Sequence, residues 1–127
     1  MLRIDPDDNT TIHLTRGDRG TFRVYLMDSK THIKYTFPAG CFVEFVIKNK
    51  LGYTGEDLLR KRIYLGEDTT DIEFTLTEMD TKIGLPIDKK TKYWYNIVVN
   101  NDITIAGSDE NGEKILILYP ETGENNE

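Results

Sequence analysis

Residues 11–18 read Thr11-Ile12-His13-Leu14-Thr15-Arg16-Gly17-Asp18, a short alternating run that ends in a charged glycine turn, and residues 21–27 resume at once as Thr21-Phe22-Arg23-Val24-Tyr25-Leu26-Met27. In a strand every second side chain points to the same face, so Ile12 and Leu14 define one strand and Phe22, Val24 and Leu26 a second. Residues 16–20 supply the turn between them. The same pattern of alternation, a Gly, Asp or Asn break and renewed alternation recurs along the chain.

Working outward, Ile33, Tyr35 and Phe37 alternate with polar residues until Pro38-Ala39-Gly40, which reads as one arm of a hairpin. Residues 41–48 form the densest strand, with Val43, Phe45 and Ile47 on one face and Phe42, Glu44, Val46 and Lys48 on the other. Residues 49–57 carry two glycines and read as a loop, and 59–65 as a weaker, charged strand. Ile72, Phe74 and Leu76 mark another strand. Thr77 with Asp80 three residues on is cap-like, yet Gly84 and Pro86 limit any helix to about a turn. Residues 92–100 alternate Tyr93, Tyr95, Ile97 and Val99 against Trp94, Asn96 and Val98, followed by Ile103-Thr104-Ile105, an Asn111-Gly112 hairpin centre, and a last strand with Ile115, Ile117 and Tyr119. The core expected from the more apolar faces is Val43, Phe45, Ile47, Ile72, Phe74, Leu76, Tyr95 and Ile97.

Seven to nine short antiparallel strands with almost no helix give an all-β fold, a sandwich or a small barrel. A tyrosine two residues ahead of a buried position, after a corner with Asp and Gly, is how immunoglobulin-like sandwiches anchor a turn, and Tyr93 before Tyr95 fits that tyrosine corner. The expectation is an immunoglobulin-like β-sandwich: an N-terminal arm over residues 1–10, one domain over 11–120, and a disordered acidic tail over 121–127. At 127 residues the chain fits one domain with room for a real core.

Acids outnumber bases 22 to 16, for a net charge of -6, which argues against a nucleic-acid partner because phosphate binding needs a basic surface. The local run Arg60-Lys61-Arg62 reads as the solvated edge of a strand. The single cysteine, Cys41, permits no intramolecular disulfide or thiolate cluster and reads as a buried structural thiol. The start of the chain lacks a signal-peptide pattern, and no run of about 18 apolar residues could cross a bilayer. Synthesis in a cytoplasm follows, with release on lysis as a later route.

Arg16-Gly17-Asp18 matches an adhesion tripeptide but stands where a strand needs a turn. Asp5, Asp7, Asp8 and Asn9 lack the glycine and distal Glu of a calcium loop, and residues 109–112 fail the same test. Glu67 and Asp68 carry no sign of facing each other across a cleft. His13 and His32 fall on outer strand faces as surface histidines. No nucleophile, base and orienter occur at a recognisable spacing, so a non-enzyme without cofactor or metal is expected.

Ile12-His13-Leu14-Thr15-Arg16-Gly17-Asp18 with Phe22 and Val24, Ala39-Gly40 with the strand around Phe45, Ile72-Glu73-Phe74-Thr75-Leu76 with Asp80-Thr81, and Tyr93-Trp94-Tyr95-Asn96-Ile97 together resemble, in order and spacing, the N-terminal domain of siphophage baseplate upper proteins and related small tail or fibre-attachment proteins. The resemblance covers roughly residues 10–119. It implies a non-enzymatic virion structural module that mounts other virion proteins and forms a homo-oligomer in the particle. Two departures stand out: members usually continue into a fibre or linker, and the loop at 49–57 is longer than a tight turn.

If the strands holding Val46 and Trp94 are neighbours, Phe42, Val46, Trp94 and Val98 point outward together and form the expected partner-binding face. The competing class is a carbohydrate-binding module using Trp94, Tyr53 or Tyr64 as stacking residues for host-surface recognition.

Overall fold

A computed structural model describes residues 1–8, 10–26, 30–50, 56–100, 103–106 and 114–121. In chain order the elements are β1 (Leu2–Ile4), β2 (Ile12–Thr15), β3 (Gly20–Val24), β4 (Phe42–Lys48), β5 (Asp57–Tyr64), β6 (Ile72–Leu76), α1 (Glu78–Thr81), β7 (Thr91–Val99), β8 (Ile103–Ala106) and β9 (Ile115–Tyr119). The protein is mostly β, in two sheets. The larger runs β1-β2-β9-β7-β4-β5, with β8 against the C-terminal half of β7; the smaller is the pair β3-β6. Helix is confined to the single turn of α1, closed by a capping box between Thr77 and Asp80.

Every expected core residue is buried, from Val43, Phe45 and Ile47 through Ile72, Phe74 and Leu76 to Tyr95 and Ile97. They meet in an aromatic cluster between the sheets: the Phe45 ring lies 4.9 Å from Phe22 edge-on, 5.8 Å from Phe74 and 5.5 Å from Tyr95. Ile12, Leu14, Leu116 and Leu118 extend this core.

Four expectations change. The N-terminal arm contains a strand, since Leu2, Arg3 and Ile4 pair with Leu14, His13 and Ile12. The strands are not all antiparallel: β2 and β9 run parallel, a geometry open to them because no hairpin joins them. Residues 16–20 do turn the chain, but from one sheet to the other, with Gly17 at φ +88°. Residues 33–37 form no regular strand; they make an isolated bridge from Phe37 to Thr69, because β5 and β7 already occupy both edges of β4. The Asn111-Gly112 turn, residues 122–127 of the expected tail, and residues 51–55 of the glycine loop lie outside the described residues.

Candidate functional site

β4 and β7 are direct neighbours, and their register sets Lys48 opposite Trp94, Val46 opposite Asn96 and Glu44 opposite Val98. Phe42, Val46, Trp94 and Val98 therefore share the face of the large sheet that points away from the core. They do not form a bare apolar patch. Val46, at 2% exposure, is buried between Arg60 and Asn96 on the flanking strands. Phe42 carries the Arg62 guanidinium 4.1 Å above its ring, and Lys92 Nζ lies 5.2 Å from the Trp94 centroid. Phe42, Trp94 and Val98 are half-buried.

Charge explains why this face is mixed. Glu44 is 1% exposed and accepts from Arg60 Nη1 at 2.9 Å and Arg62 Nε at 3.2 Å. A carboxylate removed from water needs such partners, and β5 delivers two because Arg60 and Arg62 point to the same side. Arg60 also reaches Asp57, so the basic run is the charged edge that the sequence implies, with Lys61 turned inward to Asp80 of the α1 capping box. One donor is left over: the Trp94 Nε1–H is buried with no acceptor among the described residues.

The two tyrosines of β7 exchange the roles expected of them. The Tyr93 side chain is half-buried and its hydroxyl lies over Gly84, 3.4 Å from where a Cβ would stand, with no hydrogen bond among the described residues. Tyr95 instead donates its hydroxyl to the Thr10 carbonyl at 2.5 Å. Burial pushes the Tyr95 phenol up to about 12, with the charge of Asp8 adding to the shift.

His13 is also corrected, because it is buried. Its Nδ1 lies 2.8 Å from the Tyr119 hydroxyl and its Nε2 3.2 Å from Asp5 Oδ2, so it links β9, β2 and the turn after β1. His32 is exposed, as a surface histidine should be. The N-terminal acids hold their own turn. Asp8 accepts from the Thr10 and Thr11 N–H groups and the Thr11 hydroxyl, contacts with Thr11 foremost that lower its carboxyl to about 2. Asp5 is lowered first by the Asp7 N–H and then by His13. Arg16 is buried against Gly84 and Glu121, while the Gly17 N–H bonds Thr81 Oγ1, so this tripeptide serves as a structural turn. Cys41, just ahead of β4, is half-buried with Asn100 Nδ2 at 3.5 Å, less enclosed than a core thiol.

The largest exposed apolar surface lies elsewhere. Ile33 is 67% and Tyr35 50% exposed, and the Tyr35 N–H bonds the Leu26 carbonyl at 2.7 Å, bringing them beside Tyr25 and Leu26, which are exposed as well. Lys34 Nζ stands 4.5 Å over the Tyr25 ring. Tyr35 and Leu26 border a cavity of about 370 Å³ whose wall includes Phe37, Pro38 and Cys41. Sequence reading missed this patch because alternation at Ile33 and Tyr35 signals a face but not whether that face is covered. No protein-family model, curated protein or solved structure matches the chain.

Proposed function

We propose that this chain is a non-enzymatic structural module of a bacteriophage virion, an immunoglobulin-like sandwich mounted on other virion proteins in a baseplate, tail or fibre attachment. The exposed set Tyr25, Leu26, Ile33 and Tyr35 carries the assembly reading, since apolar side chains concentrated in one place mark protein contacts more often than scattered ones do. The immunoglobulin-like part is supported by strand order. β9-β7-β4-β5 repeats the G-F-C-C′ order of a variable-type sheet, and β3-β6 the B-E pair of its partner. The Phe22, Phe45 and Tyr95 cluster occupies the centre, where antibody domains place a disulfide against tryptophan. The virion part rests on the ordered sequence resemblance around Ile12–Asp18, Phe45, Phe74 and Tyr93.

Ile33→Glu combined with Tyr35→Ser tests the reading without touching the core. The variant should keep the wild-type melting temperature and lose self-association, or binding to a co-purified virion subunit, in light scattering. Unchanged assembly in the folded variant removes this surface from the proposal. Mass spectrometry of purified particles that lack the chain removes the virion role.

A second reading is favoured by one observation. The Tyr64 ring is 69% exposed beside Arg62, whose Nη1 donates to the Tyr64 hydroxyl at 3.1 Å, an aromatic platform next to polar donors that suits a sugar. Glycan-array binding that disappears in Tyr64→Ala would favour it; a blank array with the intact protein excludes it.

A further inference from the structure

The two sheets meet along a seam between β1, an edge of the large sheet, and β3, an edge of the small one. Where β3 begins, the seam is shut: a Cβ on Gly20 would stand 2.4 Å from Leu2 Cβ. Where β3 ends it opens into a cavity of about 340 Å³ walled by Ile4, Ile12, Phe22, Val24 and Ile97. Ligand pockets span about 300–1,000 Å³, so this one takes a side chain rather than a cofactor. Arg23 and Lys114 border the opening, and no acid lines it, in a chain whose acids outnumber its bases 22 to 16. Arg23 pairs with Glu73, but both are at least half exposed, and such a hydrated pair exchanges readily.

The backbone adds a second, independent observation. β3 spends one edge on β6, with Phe22 opposite Phe74 and Arg23 opposite Glu73. Among the described residues, 21–25 make no backbone hydrogen bond on the other edge. An unpaired edge is a template for strand addition, in which the main chain supplies affinity and alternate side-chain pockets supply specificity.

We infer that the β1–β3 seam docks an extended segment of a partner protein, which adds to the free edge of β3, places an aliphatic or aromatic side chain in the cavity and sets a neighbouring carboxylate beside Arg23. The alternation of β3 dictates that pattern: Phe22 and Val24 face inward, so the inserted strand must be apolar inward, while Arg23 faces outward and takes the acid. The inference rests on the assembly reading above and names the chemistry of the partner.

The probe is an acetylated, amidated peptide of sequence Thr-Val-Asp-Ile-Asp-Val-Thr, titrated into the whole chain and followed by fluorescence anisotropy and amide NMR shifts. Saturable binding is expected, with shifts at Val24, Tyr25 and Ile97. Arg23→Glu should weaken it about tenfold, through a lost attraction and a new like-charge pair across the strands. N-methylation of alternate peptide amides should abolish it. Absence of saturable binding overturns the inference, as does equal binding when Lys replaces Asp, or shifts confined to other strands. If octanoate moves the seam amides and the peptide does not, the cavity belongs to a small amphipathic anion and the inference fails. Assembly lost in the Ile33→Glu, Tyr35→Ser variant with peptide binding retained separates the two surfaces; assembly with an inert seam overturns only this inference.

Discussion

Tyr93 and Tyr95 stand two residues apart on β7, and the hydroxyl tied to backbone belongs to the second. Tyr95→Phe should therefore cost about 1 kcal/mol of unfolding free energy, the usual net value of one intramolecular hydrogen bond, while Tyr93→Phe should change little. Urea denaturation of the two variants side by side decides the matter; the reverse order would restore Tyr93 as the corner anchor. A pH signature accompanies it. The folded phenol keeps its proton to about 12 while the unfolded one releases it near 10, so between those values the unfolded chain binds fewer protons and stability falls as pH rises. Below pH 10 the contribution is whole, and Tyr95→Phe should flatten the alkaline slope relative to wild type. Tyr93 was the legible choice because the corner rule is positional, naming the residue before a buried one. The rule cannot see that the connection after β1 passes over Tyr95 and offers the Thr10 carbonyl. His13 was illegible for a similar reason: its outward face follows from alternation, but its burial comes from Asp5 and Tyr119, which only tertiary structure brings together.

At the scale of elements, β4, β6 and β7 could be read almost residue by residue because each alternates cleanly and packs one face on the other sheet. Phe45 and Phe74 sit at the centre of that contact with no exposed surface. Truncating either to Ala should cost about 3–5 kcal/mol, the transfer term plus the cavity left among rings that cannot collapse onto it. Calorimetry or urea unfolding checks this, and losses near zero for both would mean that the sheets do not meet there. Elements shaped by pairing rather than pattern were less legible. β1 is three residues long and carries too little alternation to announce itself, and it exists because the edge of β2 is open to it. Residues 33–37 fail in the opposite way: they alternate well, but no sheet edge is vacant beside them. The partner face suffered from the same limit, since Val46 reads as outward and apolar, whereas the Arg60 and Glu44 side chains that flank it are fixed by the β4–β5 register.

For the whole molecule, the decisive feature is that β2 and β9, from the two ends of the chain, close the large sheet in parallel. Periodicity along a sequence reveals which residues share a face but not which strands are neighbours, so an all-β fold was legible and this closure was not. It has a kinetic consequence. Joining distant segments spends loop entropy before any contact rewards it, whereas β4, β5 and β7 can pair with far shorter loops. The transition state should then contain the β4–β7 centre with Phe45 and leave the β2–β9 pair unformed. Leu118 is fully buried on β9, so Leu118→Ala should destabilise mainly by raising the unfolding rate, with the refolding rate nearly unchanged, while Phe45→Ala should slow refolding. Stopped-flow chevrons of the two variants against wild type measure both limbs. If Leu118→Ala slows refolding as strongly as Phe45→Ala, the parallel closure forms early, and the chain folds from its joined ends rather than from its aromatic centre.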